Sequence, residues 1–308
     1  MIKGLALTPP VVGRIAIGKV VEKGGKRLPE KDDEFTLTSQ VQARDGWINH
    51  PLDEALRKEA GAKLRVIPIR LLFDDVDLNL RASYTLFDRT NGRPVCVGNG
   101  ETCKRATPSG IQGMSCPTPH GCEFGQGVCK PYGRLNVRIG DEDELGSFVF
   151  RTTGFNSIRT LAARLTYFSA LSGGLLSCLP LDLRLRGKST TQSHRAPIYY
   201  VDLTVRTGMT LAEALGEAKA ERERRRAAGF DQEALDLAAR VGFANGAFEE
   251  LEEDGTSVVE EFYPEGGADE DTGAMGSIKD LQQNPLHDRL NSRIKGRDQS
   301  ARADSPRN

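Results

Sequence analysis

The chain of 308 residues has few of the features that mark membrane or secreted proteins. Aromatic residues make up only 6% of it, and its richest apolar stretch, Leu161 to Leu181, is interrupted by Arg164 and by a pair of glycines. A membrane helix needs roughly 18 or more consecutive apolar residues, so the sequence predicts no membrane span. Pro9 and Pro10 break the N-terminal apolar residues, which does not suit a signal peptide. We therefore expect a cytoplasmic protein.

Motifs of several enzyme classes are also missing. There is no G-x-x-x-x-G-K-[ST] loop for nucleotide phosphates and no Gly-x-Ser-x-Gly turn, and the four histidines stand in neither an H-x-E nor an H-E-x-x-H arrangement. One compact acidic set, Asp74, Asp75 and Asp77, has the oxygen ligands that magnesium uses, although a solvated turn is the simpler interpretation. We expect no enzyme activity, and the alternative is a metal-dependent hydrolase or nuclease acting on nucleic acid.

Charge is distributed unevenly along the chain. The segment Glu249 to Asp271 contains eleven acidic residues and no Lys or Arg, whereas the whole chain carries a net charge of -1, so the first 248 residues are net basic. A basic body is compatible with nucleic acid as a partner, and an ordinary solvated surface with a solubilising tail is the alternative. The low hydrophobicity after about residue 249 predicts disorder over 249–308. Two roles fit the acidic segment: competition with DNA for the basic body, or docking of a basic partner.

Short apolar runs predict a protein rich in β-strands. Strands are expected at 11–25, 63–73, 80–87, 94–97, 134–139, 146–151, 178–185 and 196–205. Asn91-Gly92 between two of them predicts a hairpin, because the favoured two-residue turn needs positive φ. Pro68 indicates an edge strand or a bulge. Residues 26–62 show little periodicity and are expected to be irregular.

Helices are predicted in two places. Apolar residues recur with helical spacing over 156–171, where Asn156 would cap the start and the glycine pair that follows would end the helix. Thr210 and Glu213 form a capping-box pattern that opens a second helical region, and Asp231 starts a further helix.

These elements together predict an α+β fold. It comprises a mainly antiparallel sheet with one central helix, a cysteine-rich metal-binding insertion and a C-terminal helical appendix. The expected domains are a core over 1–208 that contains the insertion at 96–132, the helical appendix at 209–248, and an acidic then mixed-charge tail at 249–308.

Five of the six cysteines fall between Cys96 and Cys129, in a stretch rich in Gly and Pro where no strand or helix period is visible. Clustered cysteines in a chain without secretory features are typical of metal ligands. Thiolates suit zinc, which takes four tetrahedral ligands and can hold a loop that lacks a core of its own. The expected ligands of a structural zinc ion are Cys103, Cys116, Cys122 and Cys129.

Several alternatives stay open at this site. The C-x12-C-x5-C-x6-C spacing is not the C-x2-C pair of zinc ribbons, four thiolates also suit an iron–sulfur cluster, and unliganded thiols are the third interpretation. His120 is placed to replace one thiolate, and Cys96 lies on a predicted strand, where packing is the simpler role. Four protein thiolates leave no open position for water, so a catalytic zinc ion is not expected.

Basic and hydroxyl residues gather near the ends of the later predicted elements. Arg186, Lys188 and Arg195 lie in or beside a polar loop between two strands, and Arg159 lies in the predicted central helix. Such cations supply a salt-dependent attraction to phosphates, while hydroxyl groups fix the register. We expect these four residues to bind nucleic acid; an ordinary polar hairpin is the alternative.

The strands and helix after the cysteines carry a pattern that resembles a known family. An apolar strand and an aromatic-Asn-Ser turn lead into a helix, and a later strand, a basic-hydroxyl loop and a strand led by Pro and Tyr follow. The corresponding residues are Phe150 to Arg159, Leu176 to Leu185, Lys188-Ser189-Thr190-Thr191 and Ala196 to Val201. This pattern is similar to the recombination directionality factor-like family of phages and integrative elements, over about residues 63–206. The cysteine segment with Lys130 to Leu135 resembles a closer group of such proteins, labelled hydrolase or metal-binding protein.

The resemblance implies a protein that takes part in site-specific recombination without catalysing it. It implies DNA, a serine integrase or another recombinase as partner, or an accessory role in replication and recombination of a mobile element. A directionality factor would bind one arrangement of a recombinase–DNA complex better than another, since differential affinity alone shifts such an equilibrium. The remaining alternative is a plain single-stranded DNA-binding module.

Overall fold

A computed structural model describes residues 10–23, 26–43, 46–57, 61–141, 146–189 and 197–243, together with Val259 and Phe262. The strands within these ranges are β1 (Val11–Lys23), β2 (Lys26–Ala43), β3 (Gly46–Asn49), β4 (Val66–Leu71), β5 (Leu80–Phe87), β6 (Pro94–Gly98), β7 (Thr102–Thr107), β8 (Gly110–Ser115), β9 (Lys130–Ile139), β10 (Ser147–Thr152), β11 (Leu181–Ser189) and β12 (Pro197–Val205). The helices are α1 (Pro51–Leu56), α2 (Val76–Asn79), α3 (Thr118–Gly121), α4 (Phe155–Ser172), α5 (Leu211–Ala227) and α6 (Gln232–Gly242), with a 3₁₀ turn at Leu176–Cys178.

The strands form one sheet in which β9 is the central element. The main path runs β3-β2-β1-β10-β9-β5-β6-β7-β8, and β4 pairs with β9 and with β11, which pairs with β12. Strands β1 and β10, and strands β2 and β3, are parallel; the other pairings within the described residues are antiparallel. This mainly antiparallel sheet with several helices confirms the predicted α+β class.

The main core lies between α4 and the middle of the sheet. Strand β9 contributes Leu135 and Val137, which are fully buried on the face that holds the core. Helix α4 contributes Leu161 and Leu165, which are also fully buried, as the helical spacing predicts. Gly173 ends the helix in the left-handed conformation, which confirms the predicted glycine stop.

The capping of α4 differs from the prediction. Gly154 occupies the N-cap position without a side-chain hydrogen bond, and Asn156 lies inside the first turn. The Asn156 side chain instead accepts a hydrogen bond from Lys188 Nζ at 2.7 Å. The Asn156 side chain therefore makes a tertiary contact with β11, whereas the sequence pattern predicted that it would cap the helix.

The region predicted to be irregular, residues 26–62, contains the long strand β2. It pairs with β1 from Gly13↔Ser39 onwards, and its Phe35 and Leu37 are fully buried. Only a short part of β2 alternates between apolar and polar residues, so its extended conformation depends mainly on backbone pairing with β1. The prediction that residues 26–62 are irregular is therefore wrong for this strand.

Two signals from turn-forming residues had different outcomes. A hairpin joins β5 and β6 as predicted, and Gly92 has a positive φ of 67°. Asn91 does not have a positive φ, and the connection spans residues 88–93, so the predicted two-residue turn is wrong. Pro68, in contrast, does not mark an edge, because β4 is flanked by β11 and β9. The pairing of β4 with β9 begins at Ile69, so Pro68 lies just beyond that ladder, where its missing N–H costs little.

Helices α5 and α6 pack on the body of the protein. The predicted capping box at Thr210 and Glu213 is present, and Asp231 caps α6 through Ala234 N at 2.9 Å. Gln232 of α6 donates a hydrogen bond to the carbonyl of Leu72 at 3.1 Å. Among the described helices, none is both long and apolar enough to cross a membrane.

Candidate functional site

The cysteine-rich stretch, residues Cys96 to Cys129, forms a small extension of the sheet that we term the cysteine module. Strands β6, β7 and β8 make a meander, and α3 with the loop after it leads into β9. All six residues of β8 are exposed, so no apolar alternation reveals this strand in the sequence. The expectation that no strand lies here is therefore wrong for β7 and β8.

Gly98 makes room for two of the predicted zinc ligands. It lies opposite Cys103 in the pairing of β6 with β7, and a Cβ atom built on it would lie 2.7 Å from Cys116 Sγ and 2.8 Å from Cys103 Cβ. Cys116 is held here by its backbone N–H, which donates to the carbonyl of Glu101 at 2.8 Å. Cys103 and Cys116 therefore lie close together over a position that only glycine fills without strain.

A second glycine has the same relation to the other two predicted ligands. A Cβ atom on Gly125 would lie 2.9 Å from Cys129 Cβ and 3.7 Å from Cys122 Sγ. The turn between them contains Gln126 and Gly127 with φ of 44° and 76°, and Val128 N donates to the Gly125 carbonyl at 2.7 Å. This tight turn brings Cys122 and Cys129 together.

The five thiols of the module interact electrostatically. Burial raises the pKa of Cys129 to about 12, and negative charge on Cys96, Cys122, Cys116 and Cys103 adds to the increase. Burial, together with a hydrogen bond involving Cys96, raises the pKa of Cys103 to about 11. A thiolate raises the pKa of the neighbouring thiols, so several of these cysteines can be deprotonated together only if a cation lies close to them.

Arg105 is a further cation beside the sulfurs. Burial opposes its charge, but the neighbouring Cys96, Cys103 and Cys122 sulfurs raise its pKa. Its guanidinium lies 3.8 Å from the ring centroid of Phe124. Arg105 was not identified from the sequence, because its position opposite Cys96 in the β6–β7 pair is visible only once the strands are paired.

No finished metal centre is present among the described residues, where no three His, Cys, Asp or Glu side chains adopt a metal-binding arrangement. The module nevertheless places Cys103 beside Cys116 and Cys122 beside Cys129, and the charges of Cys96, Cys103, Cys116 and Cys122 all raise the pKa of Cys129. His120 is exposed on α3. The sixth cysteine, which was expected in a buried strand, is buried in the 3₁₀ turn instead.

The predicted nucleic-acid residues lie partly on one face of the β11–β12 hairpin. Arg186 pairs with Tyr200 in the register, and Lys188 lies two residues further on the same face, with Nζ 5.8 Å from the Tyr200 ring. Asp202 accepts hydrogen bonds from Arg186 at 3.3 Å and from Arg164 of α4 at 2.9 Å. The hairpin therefore presents a mixed aromatic and basic surface whose charge is partly neutralised.

The other two predicted contacts have different positions. Arg159 is exposed on α4, one turn after Asn156, which binds Lys188, so it lies on the helix beside the basic end of the hairpin. Arg195 lies outside the described residues. Arg159, Arg186 and Lys188 are therefore brought to neighbouring parts of the surface.

The acidic turn that was considered for magnesium is engaged in protein contacts. Asp74 accepts hydrogen bonds from Ser177 N and Oγ at 2.9 and 2.7 Å and forms an ion pair with Arg222. Asp75 caps α2 and forms an ion pair with Arg240. The turn is thus part of the contact between α5, α6 and the body, and it does not form a metal-binding group with the other described residues.

A row of arginines crosses the sheet and was not identified from the sequence. Arg81 of β5 lies opposite Arg134 of β9, and Arg134 lies opposite Arg151 of β10. Residues opposite each other in a sheet project from the same face, and this face is not the one that carries Leu135. We term Arg81, Arg134 and Arg151 the arginine row. A period-two alternation of polar and apolar residues in β9 is its only signal in the sequence.

Comparison with known proteins identifies the family. The family profile described as Gp3-like, recombination directionality factor-like, matches residues 12–206, which is more than half of the chain. The chain belongs to the recombination directionality factor-like family. No curated protein and no solved structure gives a significant match to it.

The match confirms the resemblance and extends it. It begins in β1 rather than near residue 63, and it ends after β12. The sheet, α4, the cysteine module and the β11–β12 hairpin therefore fall within the range shared with the recombination directionality factor-like family. Helices α5 and α6 and Phe262 follow that range.

Proposed function

We propose that this protein is a non-enzymatic accessory factor of a mobile element that binds DNA, a site-specific recombinase, or both, and thereby influences recombination. The observation that carries the proposal is the family match over residues 12–206. A factor of this kind needs no active site, because it acts by preferring one recombinase–DNA arrangement over another. The engagement of Asp74 and Asp75 with arginines favours this function over the alternative of a metal-dependent nuclease.

The surface formed by Arg159, Arg186 and Lys188 supports the DNA-binding part of the proposal. Cations on a hairpin and on the adjacent helix can contact successive phosphates, and Tyr200 between Arg186 and Lys188 adds an aromatic face. Asp202 limits the net charge of the hairpin, so moderate affinity and a clear salt dependence are expected.

The test is a salt-titrated binding measurement with single-stranded and double-stranded DNA and the full-length protein. Lys188→Ala should lower affinity for all sequences and reduce the salt slope by about one, as expected for a lost phosphate contact. Lys104→Ala, an exposed lysine on β7, is the matched control. Equal salt slopes for both variants and the wild type would exclude Lys188 as a phosphate contact. A preference for single strands without any effect on a recombinase would favour the plain single-stranded DNA-binding module.

The recombinase part of the proposal needs its own measurement. A cognate serine integrase with its recombination sites should give different ratios of integration to excision with and without the protein. Binding to the integrase–DNA complex should be tighter for one pair of sites than for the other, because only differential affinity shifts the equilibrium. Equal binding to both arrangements would contradict the proposed role.

We also propose that Cys103, Cys116, Cys122 and Cys129 bind a structural zinc ion. Support comes from the two glycine positions that admit these side chains and from the donor set, since four thiolates complete a tetrahedral zinc site. Zinc would supply the positive charge that stabilises the thiolates, which burial and mutual repulsion otherwise disfavour. An iron–sulfur cluster is the alternative occupant of the same ligands.

Elemental analysis of the purified protein tests this site. One zinc per chain is expected, and Cys129→Ser should lose most of it. Cys178→Ser is the matched control, because Cys178 is buried in the 3₁₀ turn outside the module and should retain full zinc. Iron with a visible absorption band would identify a cluster instead, and a folded protein with neither metal would contradict both versions.

A further inference from the structure

Helix α6 packs on the body of the protein with a side that is partly polar. Its buried residues are Gln232, Asp236, Ala239 and Gly242. Asp236 accepts hydrogen bonds from the backbone N–H groups of Asp74 and Asp75 at 3.0 and 3.1 Å, and Gln232 donates to Asp236 at 2.6 Å. Ala239 and the partly buried Leu235 add apolar contacts. Hydrogen bonds of polar side chains therefore contribute much of this contact.

The side of α6 that faces away from the body is apolar. It consists of four residues with the i, i+3, i+4, i+7 spacing of one helix face, which we term the α6 stripe: Ala234, Leu237, Ala238 and Val241. All four are exposed, and the exposed fractions of Leu237 and Val241 are 60% and 69%. A surface helix normally buries its apolar stripe. An aligned apolar stripe that is exposed indicates contact with another molecule.

One edge of the α6 stripe carries two opposite charges. Glu233 and Arg240 are both exposed and are seven residues apart, so they lie two turns apart on the same edge. Arg240 forms an ion pair with Asp75, yet its side chain is 60% exposed, and a guanidinium group has further N–H donors for a second carboxylate. The edge therefore has an acidic end and a basic end.

This charge pattern is complementary to itself in one orientation. When two α6 helices pack antiparallel about a two-fold axis, the same edge of each helix meets across the contact. Glu233 of one copy then lies near Arg240 of the second copy, and the symmetry produces this pair twice. In a parallel two-fold pair the two edges lie on opposite sides, so these charges do not meet. The apolar stripe itself is also nearly symmetric about its centre, between Leu237 and Ala238.

We propose that the α6 stripe is a self-association surface through which two copies of this chain pair with their α6 helices antiparallel. The charge complementarity of Glu233 and Arg240 selects a second copy as the occupant of the stripe. Helix α6 follows the family-matched range, residues 12–206, and the inference does not depend on binding of DNA or a recombinase. Eleven residues span only about 16 Å, so the contact is small and a weak, concentration-dependent dimer is expected.

The first experiment is analytical ultracentrifugation of the full-length protein from low to high micromolar concentration. The wild type should pass from monomer to dimer. Leu237→Glu and Val241→Glu should each raise the dissociation constant at least about tenfold, because every dimer would bury two added carboxylates. Ile111→Glu is the matched control, since Ile111 is 56% exposed on β8, and it should dimerise like the wild type.

Two results of this experiment would contradict the proposal. A wild type that stays monomeric at every concentration would leave the stripe to a different protein or to another segment of this chain. A dimer that tolerates both glutamate substitutions would place the contact elsewhere on the surface. Equal thermal unfolding midpoints for the variants and the wild type, as expected for exposed positions, would confirm that folding is intact.

The second experiment tests the antiparallel orientation by exchanging charges. Glu233→Arg and Arg240→Glu should each weaken the dimer severalfold, because two attractive pairs become repulsive. An equimolar mixture of the two variants should regain dimers, because each contact between positions 233 and 240 again joins opposite charges. A mixture that dimerises no better than the separate variants would exclude the antiparallel pairing. Glu233→Arg alone keeps the test valid if loss of the ion pair between Arg240 and Asp75 disturbs α6.

Discussion

The main core and the cysteine module differ in how much of their surface they bury. Leu135, Leu161 and Leu165 are completely buried between α4 and the sheet, so burial of apolar area stabilises this region. Every residue of β8 in the module is exposed. One continuous sheet therefore extends from an apolar core into a strand that buries no side chain.

Removal of the proposed zinc ion should give the largest difference between the two regions. Structural zinc contributes on the order of 10 kcal/mol to small zinc-binding peptides, so chelation should expose the module to proteases between Cys96 and Cys129. The core is expected to keep its unfolding midpoint, because α4 and β9 pack against each other through buried apolar residues. Mapped limited proteolysis and thermal unfolding with and without a chelator measure this. Equal protease resistance of the module with and without the chelator would show that strand pairing alone maintains its fold.

A cavity in the core should have the next largest effect. Leu161→Ala should lower the free energy of unfolding by about 3 kcal/mol, since it removes a fully buried side chain. Ile111→Ala in β8 is the matched control, because Ile111 is 56% exposed, and a change within about 0.5 kcal/mol is expected. Urea titrations give both values. A comparable loss for Ile111→Ala would mean that the module has an apolar core of its own.

A methyl group at Gly98 should disturb the module alone. Gly98→Ala places Cβ against Cys116 Sγ and Cys103 Cβ, and such overpacking costs about 1–3 kcal/mol. We expect lower zinc affinity, measured by competition with a chromogenic chelator. Gly113→Ala in β8 is the matched control, because nothing lies within 4 Å of a Cβ atom built at that glycine. Equal zinc affinities would contradict the placement of Cys103 and Cys116 as ligands.

The pH dependence of the metal-free protein should show the smallest effect. Burial raises the pKa of Cys103 and Cys129 from 9.0 to about 11 and about 12, so the folded state keeps protons that the unfolded state loses above pH 9. Stability should therefore be intact below pH 9 and fall as pH rises towards 11, by at most about 1.4 kcal/mol per pH unit for each thiol. Urea midpoints across this range measure it. In a Cys103→Ser, Cys129→Ser variant the free energy of unfolding should no longer fall over this pH range. An unchanged pH dependence would show that other titrating groups cause it.

The same contrast explains which predictions succeeded. Helix α4 and the β9–β10 hairpin were predicted because their apolar residues repeat with regular spacing and bury one face. Strands β7 and β8 were missed because they bury almost nothing. Strand β2 was missed for another reason: its pairing with β1 supplies the order that its own pattern lacks.

Local chemistry determined part of this protein directly from the sequence. The helices and strands that give the α+β class, the glycine stop at Gly173 and the capping box at Thr210 are encoded within short stretches, because periodicity and capping involve residues a few positions apart.

Tertiary structure alone decided the rest. The alignment of Arg81, Arg134 and Arg151 depends on strands that are distant in the sequence. Phe262 contacts Phe87 although it follows the last strand in the sequence and Phe87 ends β5. The proximity of Cys103 to Cys116 and of Cys122 to Cys129 likewise requires a meander followed by a tight turn. Strand register and the return path of the chain are non-local, so no single stretch of sequence specifies them.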